Sequence, residues 1–213
     1  MRKFECPQCG APLEVHLPTS VWAVCAYCDS TLVLTDDAAE VQGKMARLTQ
    51  DVSPLQLGST GVYTDRSFTL IGRIQQKWER GWWNEWHALF DDGSSGWLTD
   101  AQGMYAFSVE VPHSKLPDHR WFDEDVSAGD QLRLNDHHFI VNDVKRVYVR
   151  TADGELPFAA PAGREAITVD MIGRRNRFGT LESHVDQGVH FYEGFYLPFK
   201  KLKLQNLREF AGW

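Results

Sequence analysis

All four cysteines of this 213-residue chain lie between residues 6 and 28, as Cys6, Cys9, Cys25 and Cys28 in the pattern C-x2-C-x15-C-x2-C. No other feature restricts the fold as strongly. Each C-x-x-C makes a tight turn whose two thiols converge on one side. Two such turns close a tetrahedron around a metal at a Zn–S distance of about 2.3 Å. Gly10 follows the first pair, and Asp29 and Ser30 follow the second, all residues suited to turns.

Between and after the pairs, "PLEVHL", "VWAVC" and "STLVL" read as three short strands. The whole is similar to a rubredoxin-like zinc ribbon, expected over residues 1–34. Two other uses of the cysteines fit less well. A thioredoxin-type pair opens a helix inside a βαβ unit, and no such pattern is present. Disulfides are disfavoured in a reducing cytosol. The expectation is one structural Zn2+ per chain. Four thiolates fill its shell and leave no open position for chemistry, so His16 reads as a strand residue. So small a module cannot hold itself together by burial alone, and the metal is expected to supply its folding energy.

In "TDDAAEVQGKMARLTQ", residues 35–50, Ala38, Val41, Met45 and Leu48 recur at helical spacing, and Asp37 with Glu40 resembles a capping box. The pattern predicts a short connecting helix within a linker at residues 35–53. From Leu55 the pattern turns to strands. Phe68, Leu70, Ile74 and Trp78 alternate in "SFTLIGRIQQKW", and Trp82, Trp86, Ala88 and Phe90 alternate in "WNEWHALF" and the residue before it. Gly58, Asp65, Phe68 and Leu70 meet Gly129, Asp136, Phe139 and Val141 at a constant offset of 71 residues. The expected fold is therefore mostly β: ribbon, short helix, then two related antiparallel units, each a small barrel or sandwich, at residues 54–112 and 126–207.

"WERGWWNEWHALFDDGSSGWL", "TADGELPF", "ITVDMIG", "FGTLESH" and "FYEGFYLPF" occur in that order. Together they resemble the bacterial family catalogued as domain of unknown function 4178, over most of residues 55–205. The resemblance implies a mostly β, non-enzymatic bacterial protein that commonly carries a zinc ribbon in front. It implies no catalytic residues. Its members are often encoded beside membrane-associated proteins, which implies a partner of that kind.

Composition narrows the function classes. The formal net charge of −7 argues against general nucleic-acid binding, which needs clustered Lys and Arg. No apolar run approaches the ~18 residues of a membrane span. The basic start "MRKFECPQCG" lacks the apolar core of a secretory signal, so a cytoplasmic location is expected. Trp82, Trp86 and Trp97 are expected in the core. Trp83, Glu85 and His87 are expected on the wet face of the first hairpin, as the candidate interaction surface. Glu85 with His87, or the row Glu182, His184 and Asp186, supplies the only acid–base pairing for an enzyme reading. The leading expectation is a protein-interaction adaptor or assembly factor with a protein partner. The alternatives are a nucleic-acid-binding role through the ribbon and a small-molecule enzyme using the acid/His pairs.

Overall fold

The computed structural model describes residues 1–45, 51–112, 126–184 and 188–210. The fold is mostly β, and among these residues the only helix is a 3-10 turn at Phe199–Leu202. At the N-terminus β1 (Arg2–Glu5) pairs with β2 (Pro12–Val15). Next, β3 (Trp22–Val24), β4 (Ser30–Leu34) and β5 (Ala39–Lys44) form an antiparallel meander.

Over Ala39–Lys44 strand β5 stands where a connecting helix is predicted for residues 35–50, of which 46–50 lie outside the described residues. Its helical spacing is overridden by the open edge of β4, which β5 satisfies by pairing Val41 with Leu32 and Gly43 with Thr31 across a bulge. Asp37 lies in the tight turn before β5, where Thr35 Oγ1 accepts a hydrogen bond from the Ala38 N–H at 3.1 Å, and so it caps no helix. Met45 is buried, while Leu48 lies outside the described residues. The expected linker is also partly structural. Asp51 and Ser53 are buried, and Asp51 accepts from Arg73, from Asn84 Nδ2 at 3.0 Å and from Arg208 at 2.9 Å.

The two β units follow. The first comprises β6 (Thr60–Tyr63), β7 (Arg66–Trp78), β8 (Gly81–Phe90), β9 (Ser95–Ala101) and β10 (Met104–Glu110). The second comprises β11 (Gln131–Leu134), β12 (His137–Leu156), β13 (Glu165–Gly173), β14 (Arg177–His184) and β15 (Gly188–Leu197). Their opening hairpins are built alike. Thr64 and Asp65 take positive φ in one turn, as Asn135 and Asp136 do in the other. The Gly58 N–H reaches the Leu70 carbonyl at 2.8 Å, and the Gly129 N–H reaches that of Val141 at 2.8 Å. The register of β7 on β8 shifts between Leu70 and Gly72, and that of β12 on β13 shifts between Val141 and Asp143. Phe68 and Phe139 are both buried, in separate cores. The first core holds Phe68, Trp86, Phe90, Leu98 and Phe107; the second holds Phe139, Val169, Met171, Leu181 and Phe191.

The units are joined twice, β7 to β12 and β10 to β15, so strand pairing runs round a closed ring. Both seams need glycine. At the first, Gly154 (φ 68°) pairs with Gly72, and a Cβ on Gly154 would lie 2.3 Å from the Ile71 carbonyl oxygen. At the second, a Cβ on Gly194 would lie 1.8 Å from the Phe107 carbonyl oxygen. No side chain fits at such distances.

The bulge after Leu70 also corrects the expected faces of β7. Phe68 and Leu70 enter the first core, but past the bulge the pleat phase changes. Ile74 then joins a third cluster with Trp22, Val24 and Leu156. Arg73 moves under the ring of Trp86, 4.7 Å from its centroid, and occupies the end of the first core. Trp82, expected in that core, therefore lies beyond its end and is exposed. Trp97 stands on the opposite face, stacked on His87 at 4.9 Å.

The third cluster belongs jointly to the N-terminal cysteine-bearing module and the β units, so that module does not stand apart. Strand β3 pairs with the end of β12, Ala23 opposite Glu155 and Trp22 opposite Leu156. The buried Glu155 carboxylate takes hydrogen bonds from the N–H groups of His16 (2.9 Å) and Leu17 (3.1 Å) and from Ser20 Oγ (2.9 Å), with His16 Nδ1 at 2.7 Å. Truncation would leave the buried donors among these, the Leu17 N–H and Ser20 Oγ, unpaired. Glu155→Ala is therefore expected to cost about 3 kcal/mol in a urea unfolding curve. A loss no larger than that of a surface carboxylate would show that the contact does not hold the ribbon down.

Candidate functional site

The four thiols form one cluster. Their sulfurs all lie within 4.8 Å of one another, with Cys6 Sγ to Cys28 Sγ at 3.7 Å and Cys9 Sγ to Cys25 Sγ at 3.8 Å. A tetrahedral ion with sulfur at ~2.3 Å requires sulfurs about 3.8 Å apart. The spacing suits a four-thiolate metal site and is far too long for a disulfide. Two similar turns present the sulfurs. Gly10 donates to the Cys6 carbonyl at 2.8 Å and Asp29 to the Cys25 carbonyl at 2.9 Å, both in the left-handed region. His16 stands outside the cluster, bound to Glu155.

The first hairpin does not present a flat wet face. Trp83 and Glu85 point away from the first core, as their phase requires, but the second unit covers that side. Together the units enclose a cleft of about 460 Å³. Trp78, Trp83 and Glu85 reach it from one unit; Asp170, Glu182 and Tyr192 reach it from the other. Trp83 Nε1 donates to Glu85 Oε1 at 2.9 Å, which fixes the ring against the carboxylate. Lys145 lies 3.0 Å from both Asp143 and Asp170 and 5.5–5.6 Å from the ring centroids of Trp78 and Trp83.

The electrostatics follow from enclosure. Burial pushes the Glu85 carboxyl up to about 8; the charge of Glu182 adds to this, and the Trp83 hydrogen bond opposes it. Burial, with Glu182 beside it, lifts the Tyr192 phenol well above its ordinary range. Burial works against the charge of Lys145, but Asp170 and Asp143 outweigh it and the net shift is upward.

His87 was expected beside Glu85 on a surface. It is fully buried below the cleft, between Trp97 and the Glu155 carbonyl, which lies 3.2 Å from Nδ1. Burial lowers its pKa to about 4, so it is neutral near pH 7. The pair therefore does not converge on one open point. In the other acid/His row, His184 Nε2 sits 3.3 Å from Glu182 Oε1, while Asp186 lies outside the described residues.

The sequence reading missed Asp170, Glu182 and Tyr192 as neighbours of Glu85, and it missed Glu155 as an anchor. The sequence signal for Glu155 is slight: a carboxylate directly before the apolar Leu156 in "VYVRTADGELPF", a run that also holds Arg150 and Asp153.

A family model described as "Domain of unknown function (DUF4178)" matches residues 56–199, which span both β units and the cleft but not the ribbon. No curated protein and no solved structure matches. No helix among the described residues is long and apolar enough to cross a membrane.

The shifted groups predict a pH dependence. The raised Glu85 carboxyl favours the folded state at acid pH, and that contribution is lost as pH rises from 4.5 towards about 8. The lowered His87 acts in the opposite sense, with stability lost as pH falls from 6.5 towards about 4. Glu85→Gln should raise the unfolding free energy from urea curves above wild type at alkaline pH, by on the order of 2 kcal/mol, and leave it unchanged in acid. Parallel stability–pH curves for the two proteins would show that Glu85 is not enclosed as described.

Proposed function

The chain belongs to the domain of unknown function 4178 family, and from that premise we propose a non-catalytic binding protein whose working surface is the cleft between its β units. The observation that carries this reading is the cleft itself. Its volume is that of a site for a small ligand or a single side chain, and aromatic walls surround a few converging polar groups. Glu85 and His87 do not meet as an acid–base pair, which favours binding over turnover. An adaptor or assembly role follows if the ligand group belongs to a partner protein. In this reading the units are two copies of one ancestral unit, and the shared geometry of their opening hairpins supports that.

The thiol cluster is read as a zinc ribbon, with Cys6, Cys9, Cys25 and Cys28 holding one structural Zn2+. The donor set is all thiolate, soft and tetrahedral, which favours zinc over the oxygen-seeking cations. Reduced thiols suit a cytoplasmic location. When bound, the metal would supply folding energy to the ribbon.

Elemental analysis should find one zinc per chain. Cys25→Ser should release it and also lower the melting temperature of the β units, because Trp22 and Val24 share a core with Ile74 and Leu156. Protein free of metal, or an unchanged melting temperature, would overturn this part. The cleft is tested by NMR of the tryptophan indole N–H groups against small neutral, anionic and cationic fragments. At least one class should shift Trp83, which lines the cleft, and leave Trp86, which is buried in the first core, in place. If no class moves Trp83, the binding reading fails.

A further inference from the structure

Resting on the reading of the cleft as a binding site, we propose that its ligand carries a primary alkylammonium group. That group would lie between the carboxylates of Glu85 and Glu182 and the faces of Trp83 and Tyr192, with an N–H directed to Thr168 Oγ1.

The cleft lacks a positive charge where it holds its acids. Among the described residues, neither Glu85 nor Glu182 is ion-paired to a lysine or arginine; Glu182 meets only His184, at 3.3 Å. Thr168 supplies the independent observation. It lines the cleft, its residue is more than nine-tenths buried, and its hydroxyl has no hydrogen-bond partner. A buried hydroxyl in that state costs free energy unless something fills its place. A primary ammonium has three donors, enough for two carboxylates and this hydroxyl. A quaternary ammonium has none, and an anion would meet the carboxylates.

The protein already shows that these walls accept such a group. The Lys145 ammonium lies near the faces of Trp78 and Trp83 with Asp170 as its counter-ion. Lys145 is shared between Asp170 and Asp143 and pairs with neither Glu85 nor Glu182, which are left for a second ammonium.

Binding would ionise Glu85 and release a proton. The groups facing Glu85 are Gln76 from β7, Trp83 on β8, Asp170 from β13, Glu182 from β14 and Tyr192 from β15. Lys145 from β12 and Arg80 from the β7–β8 turn line the same cleft. The charges of Glu182 and Asp170 oppose ionisation of Glu85, so an entering cation favours it.

The test titrates n-butylammonium, n-butanol and a capped Gly-Lys-Gly peptide against the full zinc-loaded chain, followed by the Trp83 indole signal. Butylammonium or the lysine peptide should bind, and the alcohol should not. Affinity should rise about ten-fold or more between pH 6.5 and 8.5, a range in which an alkylamine stays charged. Glu85→Gln should weaken binding at least ten-fold at the higher pH and flatten the profile. Thr168→Val, which removes no charge, should weaken it several-fold and serves if Glu85→Gln fails to fold. Binding of butylammonium assigns a free amine, and binding of the peptide alone assigns a partner's lysine side chain. Equal binding of alcohol and amine, or amine binding indifferent to both substitutions, overturns the proposal. If fragments of another class move Trp83 and neither amine does, the proposal falls and the binding reading survives. If nothing moves Trp83, both fall.

Discussion

The buried Glu155 carboxylate, at the seam where β3 pairs with β12, holds the N-terminal module on the β units. It collects two backbone N–H groups, a hydroxyl and an imidazole from residues 16–20, and its own carbonyl oxygen faces His87 beneath the cleft. A carboxylate removed from water is tolerated only when donors replace the solvent it lost. Here one loop of the ribbon supplies them. The apolar cluster of Trp22, Val24, Met45, Ile74 and Leu156 then closes round the contact. One charge thereby fixes the ribbon, the end of β12 and the floor under Trp97 relative to one another.

The cleft arises from the same strands by simple geometry. A small β unit buries one face of its sheet and leaves the other for solvent. Two units joined through both β7–β12 and β10–β15 turn their second faces towards each other. Alternation along β8 then sends Trp86 and Ala88 into the core and Trp83 and Glu85 into the space between units. Polar residues that would be unremarkable on one sheet become enclosed, and Glu85 and Tyr192 take shifted pKa values as a result.

Much of this was legible in the sequence because it depends on local chemistry. The doubled C-x2-C spacing specified the thiol cluster, and period-two alternation located most of the strands. Phe68 and Phe139, matched by the offset of 71 residues, are both buried. The failures share one cause, which is that local pattern carries no information about what covers a surface. The strand at Ala39–Lys44 reads as a helix until the open edge of β4 is known. Glu85 and His87 have the alternation of a wet face, and nothing nearby in the chain announces that Asp170, Glu182 or Glu155 will close over them. The phase of β7 reverses at a bulge, so Trp78 and Phe68 share a pattern but not a face.

The anchoring carboxylate also has a consequence for synthesis. The His16 N–H and the Glu155 side chain that binds it are 139 residues apart in sequence. In a chain made from its N-terminus, residues 1–45 emerge long before their docking site on β12 exists, and such distant contacts carry a high entropic cost of closure. A ribbon dependent on β12 would wait as an unfolded segment, its Trp22 and Val24 open to misassembly. The cysteines lie close enough to gather a metal as soon as residue 28 has emerged. Were the thiol cluster to hold the proposed metal, folding of the N-terminal module would be decoupled in time from that of the β units, and the last docking step would join two preformed parts.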